Sequence, residues 1–595
     1  MPNIIRDLRE VVIDKENGLI FEKNVSIPVK ASGLPIRCNV YRPIDSDAGM
    51  LCPVLVTYGP YGKDIWYGDF HPKSYSEVPE AHKSKYAAWE TPEPVFWTRE
   101  GYAIVRADER GLGQSPGLLD TMSRSTSECF FDVVEWAASQ PWSSGKVGLL
   151  GISYYAGSQW RVAARRPKGL AAIIPWEGMS DYYRDRCRHG GIFSNNFIHF
   201  WWNRQVITNQ YGRPGRAASN WGEDTLEGSL SPEELQHNCQ DQNRDNESHR
   251  YRDDDYYASR EFNLEDIEVP LLSVANWGGI SLHLRGNVLG YMYAGSKIKY
   301  LRFIVGRHDL PFYYPEEVKI QKSFLDAFLK GEDNAGWLTG KQPPVSICLR
   351  EGDVGHNNPE GEKRFRRREE QEWPIARTQY TKYYLRCDGS LVDGLSESRT
   401  ETLSYQALGS IDNPQLTQFV TPPFSSKTEI TGHVVAHLNV SVTCEATKSD
   451  AKDMDLFVTL RHISPHGTEI FYTGSSGDNV PVCKGWLRVS LRKVNKAHRR
   501  HRPYLPYREY LSTDVEPVED GKIYAVELEL WPTNVVVEVG GKLIVEVSSG
   551  DTQGCGLFKH TNQQDRSQPV FDGRNSIHFG DGLENFVMLP IIPPL

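Results

Sequence analysis

The chain has 595 residues, a length that predicts two to four domains. Its net charge of −10 argues against a nucleic-acid-binding protein, and its 11% aromatic content excludes a disordered chain. No segment approaches the roughly 20 apolar residues of a membrane span, and the charged start MPNIIRDLREVVIDKENG lacks the apolar core of a signal peptide. We therefore expect a soluble cytoplasmic enzyme that has no membrane or nucleic-acid partner.

Short apolar runs alternate with a helical pattern in the first part of the chain. These runs predict strands at 53–59, 102–108, 146–151 and 170–175. Between the second and third strands, apolar residues recur at helical spacing in SECFFDVVEWAASQ (127–140). Alternation of strand and helix predicts a parallel sheet covered by helices.

An aromatic-rich segment then interrupts this alternation. Residues 185–265 combine bulky aromatic side chains with the charged run DQNRDNESHRYRDDDYY, and we interpret them as an inserted, mostly helical cap. An ordinary helical subdomain with an aromatic core is the alternative. Two further buried strands are predicted at VPLLSVAN (269–276) and YLRFIVG (300–306), followed by a helix over 318–331 that ends at a glycine.

The character of the sequence changes from about residue 345. Short alternating segments such as HVVAHLNVSVTC and MDLFVTLRHI are separated by Gly, Pro and Asp clusters, which predicts an all-β sandwich. We therefore predict a core in two parts, 1–184 and 266–340, with a cap over 185–265 and a β domain over 345–595.

The segment KVGLLGISYYAGSQW (146–160) carries the clearest sign of chemistry. An apolar strand leads into Gly151 and Ser153, and a helical pattern follows. A serine on such a tight strand-to-helix turn exposes its hydroxyl at the carboxyl edge of the sheet, beside a helix N-terminus that stabilises an oxyanion. Tyr155 stands where the G-x-S-x-G pattern has glycine, and most lone G-x-S sequences are simply turns. The flanking strand and helix favour Ser153 as a nucleophile.

A partner histidine is expected after the last strand of the core. His308 follows YLRFIVG and precedes the final helix of the core. The order Ser then His along the chain is that of an α/β-hydrolase, with a histidine in a surface loop as the alternative. The pair predicts a serine hydrolase that forms an acyl-enzyme.

Longer motifs resemble one branch of the α/β-hydrolases. Five segments resemble the CocE/NonD family, which is cocaine esterase-like and X-Pro dipeptidyl-peptidase-like: GYAIVRADERGLGQSPG (101–117), EWAASQPWSSGKVGLLGISY (135–154), DMDLFVTLRH (453–462), GWLRVSLRK (485–493) and VELELWPTNVVVEVGGKLIVEV (526–547). The resemblance covers nearly the whole chain. It implies an α/β-hydrolase core with an inserted helical cap, and a C-terminal all-β jelly-roll domain that packs beside the pocket and helps to close it.

The resemblance also implies an oxyanion hole. TYGPYGKD (57–64) matches a loop in which family members carry a tyrosine whose hydroxyl donates to the oxyanion, and here that residue is Tyr61. The Tyr61 phenol and the backbone N–H of Tyr154 would together bind the developing negative charge. A structural tyrosine in a Pro/Gly loop is the alternative.

The acid of the predicted catalytic triad departs from the family pattern. The resemblance implies an aspartate in the turn after VPLLSVAN, where this sequence has Gly279. Some α/β-hydrolases place the acid one strand earlier, and Glu177 directly follows that strand, so Glu177 is the first candidate. Asp181 and Asp309 are rivals, and a site without an acid is a further alternative. Glu177 as a cap of the following segment, or as the partner of a cap arginine, is the purely structural alternative.

The expected ligand is a small ester or acyl compound. Aromatic walls favour apolar groups, and we predict that Trp277, Trp201 and Phe197 contact the substrate. The sequence has no metal-ligand cluster and no phosphate or dinucleotide motif, so no cofactor and no metal are expected. A homo-oligomer is left open. A peptidase is less favoured, because the sequence offers no evident acidic anchor for a substrate amine.

Two other functions are compatible with the same residues. A cap that excludes water would make the protein an acyltransferase or cyclase, and loss of the family aspartate would suit a non-catalytic binding protein. Retention of Ser153, His308 and Tyr61 favours the enzyme.

Overall fold

The computed structural model describes residue 5 and residues 7–394, 400–444 and 452–594. Two large sheets dominate this part of the chain. Its helices include none that is long and apolar enough to cross a bilayer.

The first sheet has 11 strands in the order β1-β2-β3-β5-β4-β6-β7-β10-β11-β12-β13. From β5 across to β12 the neighbouring strands are parallel, and β1, β2, β3 and β13 pair antiparallel at the two margins. A separate two-stranded sheet pairs β8 with β9. The strands are β1 Glu10–Asp14, β2 Leu19–Ile27, β3 Ile36–Pro43, β4 Cys52–Gly59, β5 Ala103–Asp108, β6 Ser143–Ile152, β7 Leu170–Trp176, β8 Arg188–His189, β9 Ile192–Phe193, β10 Leu271–Asn276, β11 Lys299–Ile304, β12 Val345–Cys348 and β13 Arg367–Glu370.

The six predicted core strands are confirmed as β4, β5, β6, β7, β10 and β11. Every residue of β4, β5 and β10 is buried, as expected for parallel strands that are covered by helices on both faces. The predicted helix at 127–140 forms as part of Arg124–Ala138, where Ser123 accepts a capping hydrogen bond from the Thr126 N–H. Its buried face includes Phe130 and Val133, the apolar positions that predicted the helix.

The α-helices of the described chain lie mainly in the α/β core and in the cap, and one short helix lies in the C-terminal β domain. Those of the cap lie between β7 and β10. The helices are α1 Tyr67–Phe70, α2 Pro72–Glu77, α3 Pro94–Arg99, α4 Arg124–Ala138, α5 Tyr154–Ala163, α6 Asn195–Trp201, α7 Pro232–His237, α8 Gln242–Ser248, α9 Asp255–Ala258, α10 Leu284–Tyr293, α11 Pro315–Leu325, α12 Pro359–Glu362 and α13 Gln568–Phe571.

The second sheet has 12 strands and forms the C-terminal β domain. Its pairings are antiparallel, and nine strands run in the order β15-β14-β27-β18-β24-β23-β19-β25-β17, with β16, β20 and β26 off this path. Strands β21 and β22 pair separately. The strands are β14 Gln379–Leu385, β15 Leu391–Val392, β16 Glu401–Gln406, β17 Leu416–Val420, β18 Thr428–Thr443, β19 Asp455–Ile463, β20 Glu469–Ile470, β21 Tyr472–Thr473, β22 Asn479–Val480, β23 Cys483–Arg488, β24 Tyr524–Val537, β25 Lys542–Ser548, β26 Arg574–Phe579 and β27 Phe586–Ile592.

The first sheet continues past the predicted domain boundary at residue 345. Strand β12 pairs with β11 and strand β13 pairs with β12, so both belong to the α/β sheet. Their sequences, VSIC and RREE, are short, and the second is charged enough to look like a solvated loop. Pairing across the chain, and not the local pattern, puts β13 at this sheet edge.

Candidate active site

Ser153 occupies a tight turn between β6 and α5. Its φ of 61° and ψ of −116° are values that residues other than glycine rarely adopt. Helix α5 begins directly at this turn, because the backbone carbonyl of Ser153 already accepts hydrogen bonds from the N–H groups of Ala156 and Gly157. Gly151 is required beneath it, since a Cβ there would lie 2.7 Å from the Tyr155 Cβ. Strain of this kind is typical of a preorganised reactive side chain.

The hydroxyl of Ser153 contacts a histidine that sequence analysis missed. His283 Nε2 lies 3.2 Å from Ser153 Oγ. His283 lies in the loop between β10 and α10, and it is 2% exposed. The one feature of the sequence that could have pointed to His283 is its position after a core strand, where an α/β-hydrolase has functional loops. The segment WGGISLHLRGN contains nothing else that separates this imidazole from an ordinary core histidine.

His308 lies between two buried carboxylates. Its Nδ1 is 2.9 Å from Glu177 Oε2, and its Nε2 is 3.1 Å from Glu90 Oε1. Both glutamates are fully buried. Burial by itself lowers the pKa of His308, but Glu177 and Glu90 outweigh it and hold this pKa well above its usual value. Burial raises the pKa of Glu90 to about 7, with His308 opposing the rise.

Glu177 approaches the His308 imidazole from the turn after β7, whereas Gly279 lies in the turn after β10. Strands β7 and β10 are parallel neighbours, so the turns that follow them lie side by side. Asn276 Nδ2, at the end of β10, donates to Glu177 Oε1 at 3.0 Å. A Cβ built on Gly279 would lie 3.7 Å from Glu177 Oε2. The glutamate carboxylate therefore lies beside the position from which an aspartate at residue 279 would project.

The two rival acids have other partners. Asp181 caps the following segment and forms an ion pair with Arg184. Asp309 Oδ1 lies 3.2 Å from Arg307 Nε, and its Oδ2 accepts a hydrogen bond from the Trp89 indole at 3.3 Å. Of the three carboxylates considered, Glu177 is the one that the structure brings to the His308 ring.

Tyr61 and Tyr154 flank Ser153. The Tyr61 hydroxyl accepts a hydrogen bond from the Trp201 indole at 3.0 Å and lies within hydrogen-bonding reach of Ser153. Burial, assisted by the charge of Glu90, raises the pKa of Tyr61 well above its usual value, so the phenol keeps its proton and can donate it to a hydrogen bond. Tyr154 is the first residue of α5, where the backbone N–H has no intrahelical acceptor.

The Tyr154 side chain fixes the start of α5. Its hydroxyl donates to Glu109 Oε1 at 2.9 Å and accepts from the Met122 N–H at 2.8 Å. Glu109 is fully buried, and burial raises its pKa to about 8. These contacts hold the helix N-terminus, and with it the backbone N–H beside Ser153, in a fixed position.

Ser153 and His308 open into one cavity of about 430 Å³. Core, cap and β domain all contribute to its wall, and the rings of Phe197 and Phe558 meet across it with centroids 4.9 Å apart. The β domain therefore helps to close the pocket, as the family resemblance implies. Two of the three predicted substrate contacts, Phe197 and Trp201, line the cavity. Its other large aromatic side chains are Tyr61, Phe70, Trp89, Phe200 and Trp221.

The prediction that Trp277 contacts substrate is wrong. Its ring is fully buried and stacks on Phe303 with centroids 3.9 Å apart, and its indole N–H donates to the Cys348 carbonyl at 2.8 Å. Trp277 belongs to the apolar core between the first sheet and the β domain. Packing in this layer removes the apolar ring of Trp277 from water.

Family models match both parts of the chain. The S15 family of X-Pro dipeptidyl-peptidases matches residues 32–290, and the C-terminal non-catalytic domain of X-Pro dipeptidyl-peptidases matches residues 336–588. A CocE/NonD family hydrolase of known structure from Staphylococcus aureus is 27% identical, with a TM-score of 0.80 over 96% of this chain and 94% of its own. The chain belongs to the CocE/NonD, X-Pro dipeptidyl-peptidase-like family of α/β-hydrolases.

Relatives of this CocE/NonD protein include esterases. Cocaine esterase from Rhodococcus sp. (strain MB1 Bresler) is 25% identical over 96% of this chain and 98% of its own. A putative serine esterase from Mycobacterium tuberculosis is 24% identical over 76% of this chain and 78% of its own. An α-amino acid ester hydrolase of known structure, 16% identical with a TM-score of 0.66 over 98% of both chains, shares the fold. These findings class the CocE/NonD protein as a serine hydrolase.

Proposed function

We propose that this serine hydrolase cleaves carboxylic esters through an acyl-enzyme on Ser153, with His308 as the base and Glu177 as the acid that orients it. The observation that supports this most strongly is the contact of 2.9 Å between His308 Nδ1 and Glu177 Oε2, in the cavity that Ser153 lines. An acid on Nδ1 keeps the proton on that nitrogen and leaves Nε2 to accept the serine proton.

Acylation begins when Ser153 Oγ attacks the ester carbonyl. The Oγ–H bond breaks, its proton moves to His308 Nε2, and the Tyr154 N–H and the Tyr61 hydroxyl donate to the oxyanion. His308 then gives this proton to the alcohol as it leaves. Water repeats the same steps on the acyl-enzyme and releases the acid. Glu177 stabilises the imidazolium in both halves of the reaction.

Glu90 competes with the nucleophile for the same nitrogen. Its Oε1 lies 3.1 Å from His308 Nε2, the atom that must accept the serine proton. A carboxylate at this position stabilises the imidazolium, which cannot act as a base. The reaction therefore requires a neutral His308 that turns its Nε2 lone pair from Glu90 to Ser153.

The cavity wall favours an ester over a peptide that carries a free amine. Two carboxylates line the described cavity: Asp309 pairs with Arg307, and Glu90 lies 3.1 Å from His308 Nε2. A substrate ammonium at Asp309 would have to displace Arg307, and one at Glu90 would have to compete with His308 for that carboxylate. The aromatic side chains of the wall instead suit an apolar or aromatic group on either side of the ester bond.

Covalent labelling tests the proposal. A fluorophosphonate probe should label the native protein, and Ser153→Ala should abolish the label. Ser476→Ala, in the wall of the same cavity, is the matched control and should label normally. A folded native protein that takes no label would identify a binding protein on a hydrolase fold.

Product analysis separates hydrolysis from acyl transfer. Aryl esters with apolar acyl groups are turned over in ¹⁸O-labelled water, and the acid product should carry one labelled oxygen. Acid product without label, or an acyl group recovered on another acceptor, would point to an acyltransferase or cyclase.

A further inference from the structure

A second imidazole packs against the catalytic one. The rings of His283 and His308 are parallel within 11°, with centroids 5.1 Å apart. His283 Nε2 lies 3.2 Å from Ser153 Oγ, and His308 lines the same cavity as Ser153.

The other nitrogen of His283 fixes its tautomer. Nδ1 accepts a hydrogen bond from the backbone N–H of Met179 at 3.1 Å. A neutral imidazole that accepts at Nδ1 carries its proton on Nε2, and that nitrogen is then a donor. The Ser153 oxygen is therefore the acceptor in this hydrogen bond.

His283 is also poorly placed to become charged. A second proton would lie on Nδ1 and face the Met179 N–H. Burial, the largest effect, and the nearby charges of His308 and Arg186 lower the pKa of His283 well below its usual value. His283 therefore cannot serve as the base that receives the serine proton.

The surrounding loops hold this donor in place. Gly178 N–H donates to Asn287 Oδ1 at 2.8 Å, and Ser180 Oγ donates to the Gly286 carbonyl at 2.8 Å. The loop after β7 is thus clamped to the first turn of α10 on both sides of Met179, the residue that donates to His283 Nδ1. A Cβ on Gly286 would lie 2.4 Å from the Ser180 nitrogen, so this close approach requires glycine.

We propose that His283 is a positioning residue for the nucleophile, a neutral imidazole whose Nε2–H donates to Ser153 Oγ. The proposal rests on the proposed hydrolase function. Because Oγ accepts from His283, its own O–H is free to donate to His308. When the Oγ–H bond breaks and the proton moves to His308, the negative charge on Oγ meets the His283 N–H, which keeps its proton. The same donor stabilises Oγ when the acyl C–O bond breaks in deacylation.

Two substitutions divide the roles of the two ring nitrogens. In His283→Asn the amide oxygen takes the place of Nδ1 and can still accept from Met179, but the donor to Ser153 is lost. In His283→Gln the longer side chain returns an N–H to the place of Nε2, while the acceptor for Met179 is lost. The readouts are the second-order rate of fluorophosphonate labelling, the pH profile of kcat/KM for an aryl ester, and the melting temperature.

A positioning role predicts that His283→Asn slows labelling by about 100-fold, the scale on which loss of one preorganised donor acts. His283→Gln should restore most of that rate, and both variants should keep the acid limb of the native pH profile. His466→Gln is the control, because His466 is exposed on the β domain.

Three results would overturn the proposal. Equal losses in the two variants, or a greater loss in His283→Gln, would show that the Met179 contact is what matters. Loss of the acid limb in either variant would make His283 the base. A native protein that is not labelled would reject the proposed hydrolase function as well, whereas the first two results leave that function standing.

Discussion

Glu90→Gln should let the enzyme work at lower pH. His308 is held by Glu177 at 2.9 Å on Nδ1 and by Glu90 at 3.1 Å on Nε2. Burial opposes the charged imidazolium, but these two carboxylates raise the pKa of His308 well above its usual value. Only the neutral imidazole can accept the proton of Ser153, so activity is lost as the pH falls through this raised pKa.

The substitution removes one negative charge and keeps the size of the side chain. An opposite charge at hydrogen-bonding distance shifts a pKa by about 1–3 units. Without Glu90 the imidazolium loses one of its two partners, and its pKa falls. We therefore expect the acid limb of kcat/KM to lie about 1–3 pH units lower in Glu90→Gln than in the native enzyme. Glu90 and His308 titrate as a pair, so the limb reports the pair in the native enzyme and His308 alone in the variant.

The assay is the initial rate of aryl ester hydrolysis across the acid, neutral and alkaline range, since kcat/KM reports the ionisations of the free enzyme. Glu77→Gln is the matched control: Glu77 pairs with Arg307 at 2.9 Å near the cavity and does not contact the His308 ring. An acid limb that stays in place, or that moves to higher pH, in Glu90→Gln would refute the reasoning.

Three further changes separate catalytic roles from packing. Glu177→Gln should lower kcat by about 10³–10⁴-fold, because the imidazolium loses its orienting acid; adding Gly279→Asp should recover at least about tenfold, since a Cβ at residue 279 lies 3.7 Å from Glu177 Oε2. Tyr61→Phe should lower kcat by about 10²–10³-fold with little change in KM, because the phenol donates mainly in the transition state. Trp277→Ala should destabilise the fold by about 3–5 kcal/mol in denaturant unfolding, and the folded variant should keep its KM.

Each of these changes has an outcome that contradicts it. If the folded Glu177→Gln, Gly279→Asp double variant regains no activity, an acid in the turn after β10 cannot take over the role of Glu177. Near-native kcat in Tyr61→Phe would remove the phenol from the oxyanion hole. A raised KM with unchanged stability in Trp277→Ala would return that side chain to the substrate pocket. Circular dichroism of every variant checks that the fold is retained.

The sequence by itself determined the core strands and the turn that carries Ser153, the proposed nucleophile. The core strands are continuous apolar runs, and the turn at Ser153 lies where one run ends and a helical pattern begins, so both follow from neighbouring residues. His308 could be predicted because chain order in this fold places it after the last core strand. Local features of this kind depend on a few adjacent side chains and on the φ and ψ values that they allow.

Only the tertiary structure decided which groups surround the His308 ring. Glu177 is a candidate in the sequence, but its contact depends on β7 and β10 being neighbours in the sheet. Glu90 and His283 carry no motif, and each is brought to the site from a loop far away in the chain, His283 lying 130 residues beyond Ser153. Trp277 follows a core strand just as a pocket residue would, yet packing against the β domain buries it. Such contacts depend on how distant strands and domains pack together, and no local pattern of residues encodes that arrangement.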